Sequence, residues 1–193
     1  MRIVFVLFLA LISFSVQAQN EALQVGDTAP IFSGIDQFDS VISSASILDS
    51  SDNYVLIFYR GFWCKYCRKH LSALSDSLSL ILEKNTSVIV VTPETPESRE
   101  RMQSETGANF SIVSDTSYAI MKAFGVDFVI SDETVPRFRE NVIRLTIKSN
   151  GNEEGILPIP ATYVVGKDGV IKWLHVDMDY TNRSTIKQVL DVL

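Results

Sequence analysis

The sequence predicts a layered α/β domain, and three observations carry that prediction. Residues 53–59 (NYVLIFY) and 87–91 (SVIVV) are short runs dominated by β-branched and aromatic side chains, the pattern of strands buried on both faces. Between them Cys67, Leu71, Leu74, Leu78 and Ile81 recur at steps of 4, 3, 4 and 3, the apolar stripe of an amphipathic helix. Near the end, residues 162–165 and 170–174 flank Gly166-Lys167-Asp168-Gly169, which reads as a β-hairpin with a slightly long turn.

The remaining elements follow in order. A polar helix is expected over 97–105, a strand over 109–113 and a short helix over 117–124, continuing a βαβα alternation. Residues 127–155 are less regular, with a helix expected around 135–147 and a turn-rich end at Ser149-Asn150-Gly151-Asn152, so the stretch reads as an insertion. A final helix over 184–193 places Ile186, Val189, Leu190 and Leu193 on one face. No internal repeat or glycine-rich phosphate loop interrupts this order, and nothing in it calls for a bound cofactor.

The first eighteen of the 193 residues contain fourteen apolar side chains, one cation (Arg2) and no acid. With Val16-Gln17-Ala18 before Gln19 they have the layout of a secretory signal, leaving residues 19–193 as one domain. An uncleaved anchor is the rival reading, but Ser13, Ser15 and Gln17 cut the apolar run short of the roughly 20 residues that a bilayer span needs. The expected destination is exported, periplasmic or secreted, with no membrane span in the mature chain. The formal charge is already −6 and becomes one unit more negative without Arg2, which excludes general nucleic-acid binding.

Cys64 and Cys67 are the only two cysteines. As a structural staple they would accomplish little, since closing a four-residue loop is worth roughly 2 kcal/mol against about 4.7 for a loop of 100 residues. The spacing suits a dithiol that opens and closes, because one sulfur reaches the other with little backbone movement. The pair sits where the first buried strand ends and the amphipathic helix begins. Free backbone N–H groups and the positive helix end favour a thiolate there. Arg60, Lys65, Arg68 and Lys69 crowd the same ten residues, an arrangement that costs a few tenths of a kcal/mol per cation at a helix start. One reading is a solvated first turn; the other is that these charges lower a thiol pKa or attract an anionic or peroxide-like substrate. A separate class of reading is metal binding: Cys64, Cys67 and His70 form C-x-x-C-x-x-H, and His175 would complete a copper or zinc set. A binding module with a vestigial cysteine pair is the third.

The segments Tyr59-Arg60-Gly61-Phe62-Trp63-Cys64-Lys65-Tyr66-Cys67, Leu157-Pro158-Ile159-Pro160-Ala161-Thr162-Tyr163-Val164-Val165 and Val176-Asp177-Met178-Asp179-Tyr180-Thr181-Asn182-Arg183 together resemble peroxiredoxin-like proteins of the alkyl hydroperoxide reductase and thiol-specific antioxidant group. These belong to the thioredoxin-fold superfamily. Val25-Gly26-Asp27-Thr28-Ala29-Pro30-Ile31-Phe32 is similar to the start of such domains. The resemblance implies a thioredoxin-like fold, with a central mixed β-sheet flanked by helices, an N-terminal extension and an insertion before a strand that opens at a cis Pro160. It further implies that Pro160 faces the cysteines and that the adjacent backbone pairs with substrate, with Trp63 and Tyr66 as apolar walls. A strand-start proline with no such duty is the plainer reading of Pro160.

The chain also departs from that pattern. Laid on it without gaps, Cys64 falls where typical members carry threonine or serine, and Cys67 on the peroxidatic cysteine. Their opening proline is Arg60 here, and their later arginine falls at Pro160. Only Arg60, or Arg183 from a distance, is then left to polarise a peroxide. Asp177, Asp179 and Arg183 are expected to form a salt-bridge cluster instead. The expected activity is that of a thiol-dependent antioxidant oxidoreductase that reduces peroxides through a Cys64/Cys67 dithiol cycle, with protein-disulfide reduction as the alternative. Cys64, Cys67 and Arg60 are the expected catalytic residues, and an external thioredoxin-like dithiol is the expected electron donor. Cys64 would attack first in the reductase mode, Cys67 in the peroxidase mode.

Overall fold

The computed structural model describes residues 23–131, 139–151 and 153–193. The expected leader lies outside the described residues, as does the first part of the helix expected over 135–147. At the centre is a five-stranded mixed sheet of order β5-β4-β3-β8-β9, built from β3 (Asn53–Phe58), β4 (Thr86–Thr92), β5 (Ser111–Ser114), β8 (Ala161–Gly166) and β9 (Ile171–Val176). β3 pairs in parallel with β4 and β4 with β5, whereas β3–β8 and β8–β9 are antiparallel. The parallel pairs need helical crossovers; the β8–β9 hairpin needs only the turn over 167–170, closed by Gly166 N–H donating to the Val170 carbonyl at 2.9 Å.

Every residue of β3 and β8 is buried, as the unbroken apolar runs require of strands covered on both faces. Alternate side chains of β3 divide between two cores. Tyr54, Leu56 and Phe58 join Phe32, Phe124, Tyr163 and Ile171 on one face. On the other, Val55, Ile57 and Tyr59 pack with Cys67, Leu71, Leu74, Ile81, Met102 and Val189. The second core is covered by α2 (Lys65–Asp76), α3 (Leu78–Leu82), α4 (Pro96–Thr106) and α7 (Ile186–Leu190). The single stripe from Cys67 to Ile81 is thus carried by two helices, which meet at Ser77, where φ −110° and ψ 5° leave the helical range. The stripe persists across the break because both pieces bury against the same sheet face.

Several elements had no period to announce them. A hairpin of β1 (Ser33–Ile35) and β2 (Val41–Ser43) and the following α1 (Ser44–Ser50) precede the sheet, all too short or too polar for a pattern. Between β5 and β8 the chain forms α5 (Ala119–Ala123), β6 (Asp127–Val129), α6 (Arg139–Asn150) and β7 (Ile156–Pro158), with β6 and β7 antiparallel. α5 answers to the short helix expected over 117–124, and β6 and α6 fall in the insertion expected over 127–155, which β7 closes by pairing with β6. Among the described residues no helix is long and apolar enough to cross a membrane.

The expected cis proline is not found: no described peptide bond is cis, so Ile159–Pro160 is trans. The local pairing explains it. β7 runs extended through Pro158, Ile159 N–H donates to the Val126 carbonyl at 2.6 Å, and β8 begins at Ala161, so the chain passes from ribbon to sheet without the reversal that a cis bond supplies.

Candidate active site

β3 stops at Phe58, but Tyr59 N–H still donates to the Val91 carbonyl at 3.1 Å, carrying the chain to the sheet edge before it turns. The loop over 60–63 closes with Cys64 N–H on the Gly61 carbonyl at 3.0 Å, and α2 starts at the next residue. Cys64 is the N-cap: its Sγ accepts the Cys67 N–H at 3.4 Å, the duty that serine or aspartate performs elsewhere. Gly61 is needed in this loop, because a Cβ on it would meet Trp63 Nε1 at 2.5 Å.

The two sulfurs have opposite environments. Both cysteines are free thiols; Cys64 is 5 % exposed and Cys67 is fully enclosed. The Cys67 thiol donates to the Cys64 sulfur, and with the Cys67 N–H, Arg60 and Arg183 it outweighs burial and brings Cys64 down to about 6. Burial, together with the neighbouring Cys64, pushes the Cys67 thiol well up. Cys64, the helix N-cap, is the sulfur nearer the surface and the one pushed down, whereas Cys67 is the enclosed one pushed up.

Two arginines flank the thiols. Arg183 Nη2 lies 3.2 Å from Cys67 Sγ and 3.9 Å from Cys64 Sγ, and its Nε donates to the Tyr180 carbonyl at 2.9 Å. The sequence expectation of a distant Arg183 engaged with Asp177 and Asp179 is corrected. Those carboxylates accept from Asp179 N–H, Thr181 N–H and Asn182 Nδ2 and shape the loop that aims Arg183 inward. Arg60 is buried, its guanidinium 4.9 Å from the Trp63 ring centre and 4.4 Å from that of Tyr180. The other cations of the cluster disperse. Arg68 donates to the Phe62 carbonyl at 2.7 Å and pairs with Glu105 at the surface, while Lys69 is exposed.

Beside Cys64 a cavity of about 240 Å³ is lined by Trp63, Tyr66, Tyr180, Val142 and Leu145, with Arg60 and Lys65 on its wall. Tyr66 and Tyr180 meet edge to face at 5.7 Å, and the insertion helix α6 closes one side. Trp63 and Tyr66, named from the sequence, both line this cavity. Pro160 does not line this cavity, and its carbonyl accepts the Asp177 N–H at 3.2 Å.

The residue that sequence reasoning missed is Glu94, fully buried just past β4. Its carboxylate accepts from Tyr59 Oη at 2.8 Å, from Phe62 N–H at 2.7 Å and from Ser149 Oγ, tying the cysteine loop to α6. Burial raises its pKa. The available signal was an acid set directly after an apolar strand in Thr92-Pro93-Glu94-Thr95-Pro96. The metal reading finds no support: among the described residues no three His, Cys, Asp or Glu side chains converge. His70, buried and pushed down to about 4 by burial and by Arg183, meets Ser184 Oγ at 3.3 Å, whereas His175 stacks on Trp173.

A strand-to-helix cysteine pair on a mixed sheet, one sulfur capping the helix and one enclosed behind it, defines a thioredoxin-fold thiol oxidoreductase. The chain belongs to the AhpC/TSA family, whose match spans residues 25–174. Among curated proteins it is 21 % identical to the thiol-disulfide oxidoreductase ResA of Geobacillus thermodenitrificans, over 88 % of this chain and 82 % of that one. Among solved structures it is similar to peroxidoxin BcpB of Mycobacterium tuberculosis, with a TM-score of 0.66, 17 % identity and coverage of 88 % of this chain and 96 % of that one. It is also similar to a peroxiredoxin-like protein of Aquifex aeolicus, with a TM-score of 0.64, 18 % identity and coverage of 89 % and 86 %.

Proposed function

We propose that the protein reduces peroxides, with Cys64 as the attacking thiolate and Cys67 as the resolving thiol. The observation that carries this reading is the placement of Cys64: its sulfur, pushed down to about 6, borders a small cavity that Arg60 lines, with Arg183 beside the sulfurs. In the first step the Cys64 thiolate attacks the terminal peroxide oxygen and the O–O bond breaks. The leaving oxygen takes a proton and departs as an alcohol, or as water from hydrogen peroxide, while Cys64 becomes a sulfenic acid. Cys67 then attacks the Cys64 sulfur, the S–S bond forms and water leaves. An external dithiol, itself oxidised to a disulfide, supplies the two electrons and two protons that restore both thiols. Arg60 and Arg183 supply the positive charge that stabilises the departing oxygen, so two arginines unrelated to the usual positions serve the same electrostatic end.

The disulfide-reductase alternative draws on the same sulfurs, but the backbone around Pro160 argues against an extended peptide substrate. Ile159 N–H and the Pro160 carbonyl are already bonded to Val126 and Asp177. Stopped-flow mixing of the reduced protein with hydrogen peroxide tests the proposal. Thiol consumption should exceed that of free cysteine by orders of magnitude, and a rate no better than free cysteine would leave disulfide exchange as the activity.

We also propose export, on the character of the first eighteen residues. N-terminal sequencing of protein recovered from a periplasmic or culture fraction should begin at Gln19. Recovery of intact chain from the cytosol alone would refute it.

A further inference from the structure

The cavity beside Cys64 has a charge balance that a neutral peroxide leaves unmet. Arg60 is 4 % exposed, its Nε has no hydrogen-bond partner, and no ion pair joins it to a carboxylate among the described residues. Its guanidinium is flanked by the Trp63 and Tyr180 rings, which cover its faces and leave the unpartnered Nε–H at its edge. Lys65 adds a second positive charge at the rim and Arg183 a third beside the sulfurs, and no described acid lines the space. Against these stands a single thiolate. A desolvated cluster of cations with fewer counter-charges than it needs is costly, and a ligand that brings one negative charge relieves that cost. Apart from Asn141 and Cys64 the rest of the wall is aromatic and aliphatic, and at about 240 Å³ the cavity exceeds the roughly 150 Å³ of a protein cavity known to hold benzene.

We propose that this cavity binds small organic monoanions, an apolar ring or short chain bearing a carboxylate, and that the preferred peroxide is a carboxylate-bearing hydroperoxide. The carboxylate accepts from the open edge of Arg60, the apolar body lies against Trp63, Tyr66 and Tyr180, and the hydroperoxide reaches Cys64. The chemistry is the cycle already given: the Cys64 sulfur takes the terminal oxygen, the O–O bond breaks and the hydroxy acid leaves after gaining a proton. The reaction rests on the peroxide reading; the binding rests on geometry alone.

The test separates the two. Benzoate and its neutral counterpart benzamide are added to the reduced full-length protein, and alkylation of Cys64 by iodoacetamide is followed by mass spectrometry. Benzoate should slow alkylation at least fivefold at saturation, with protection weakening as salt rises, and benzamide should not. Arg60→Gln should abolish the protection and Arg60→Lys should keep part of it; the comparison of the two probes needs no variant and stands even if these fold poorly. Equal protection by both compounds, or by neither, overturns the proposal however fast the protein consumes peroxide. In parallel, cumene hydroperoxide carrying a para carboxylate should oxidise the thiols about tenfold faster than its methyl ester. Selective benzoate protection in a protein inert to every peroxide would uphold the anion site and defeat the peroxide reading alone.

Discussion

Arg183 Nη2 sits 3.2 Å from Cys67 Sγ across 116 residues of sequence. The contact joins the end of the last loop to the first turn of α2, and it turns a cysteine pair with modest local help into a site with two arginines. Truncating Arg183 to methionine removes that charge while keeping the stem. The expected result is a loss of about 10- to 100-fold in the rate of Cys64 oxidation, below the 10²–10³ seen for buried donors because Arg183 is partly solvated. Arg183→Lys should recover only part, since a point charge does not reproduce the reach to both sulfurs.

The cysteines should separate cleanly. Cys64→Ser is expected to abolish peroxide consumption. Cys67→Ser should consume one equivalent, accumulate a sulfenic acid on Cys64 that dimedone traps, and fail to turn over with a dithiol donor. Full turnover by either variant contradicts the two-cysteine cycle.

The reduced protein should show a pH signature in stability. Cys64 titrates near 6 when folded, below the roughly 8.5 of an unfolded cysteine, so between those values the unfolded chain binds more protons. The stability advantage of wild type over Cys64→Ser is therefore fully present above about 8.5 and is lost as pH falls through about 6. Urea titrations of both proteins from pH 5 to 9 read it, and a pH-independent difference would contradict an ionised Cys64. Absorbance at 240 nm should report the same midpoint.

Glu94 offers a test of the loop clamp. Glu94→Ala strands three donors, Tyr59 Oη, Phe62 N–H and Ser149 Oγ, and should cost about 3 kcal/mol or more by urea denaturation, given about 1–3 kcal/mol for each buried group left unpaired. Glu94→Gln keeps one oxygen and should cost about 1 kcal/mol. If the clamp sets the cavity, Glu94→Gln also raises KM for an organic hydroperoxide more than it lowers kcat, which loss of stability alone does not produce.

Much of this was legible before any coordinates. The strands β3, β4 and β8 and the stripe on α2 and α3 were readable because each buries a periodic apolar face, and Cys64 and Cys67 because their spacing has few other uses. Trp63 and Tyr66 could be named as walls because they adjoin the sulfurs in sequence. The short β1, β2, β6 and β7, the break at Ser77 and the trans bond at Pro160 were not legible: the strands are three residues each, too short to show a period, the apolar stripe runs unbroken across Ser77, and Ile159 N–H is bonded to the distant Val126 carbonyl.

What the sequence determined by itself, then, was a dithiol at the mouth of a helix on an α/β sheet, because propensity, period and spacing are local properties. Only the tertiary structure decided which sulfur is enclosed, which arginines attend the pair and what roofs the cavity. Desolvation and charge act through space: burial pushes the Cys67 thiol up, Arg183 arrives from the far end of the chain, and Glu94 ties α6 to the cysteine loop. None of those distances is written in the order of residues.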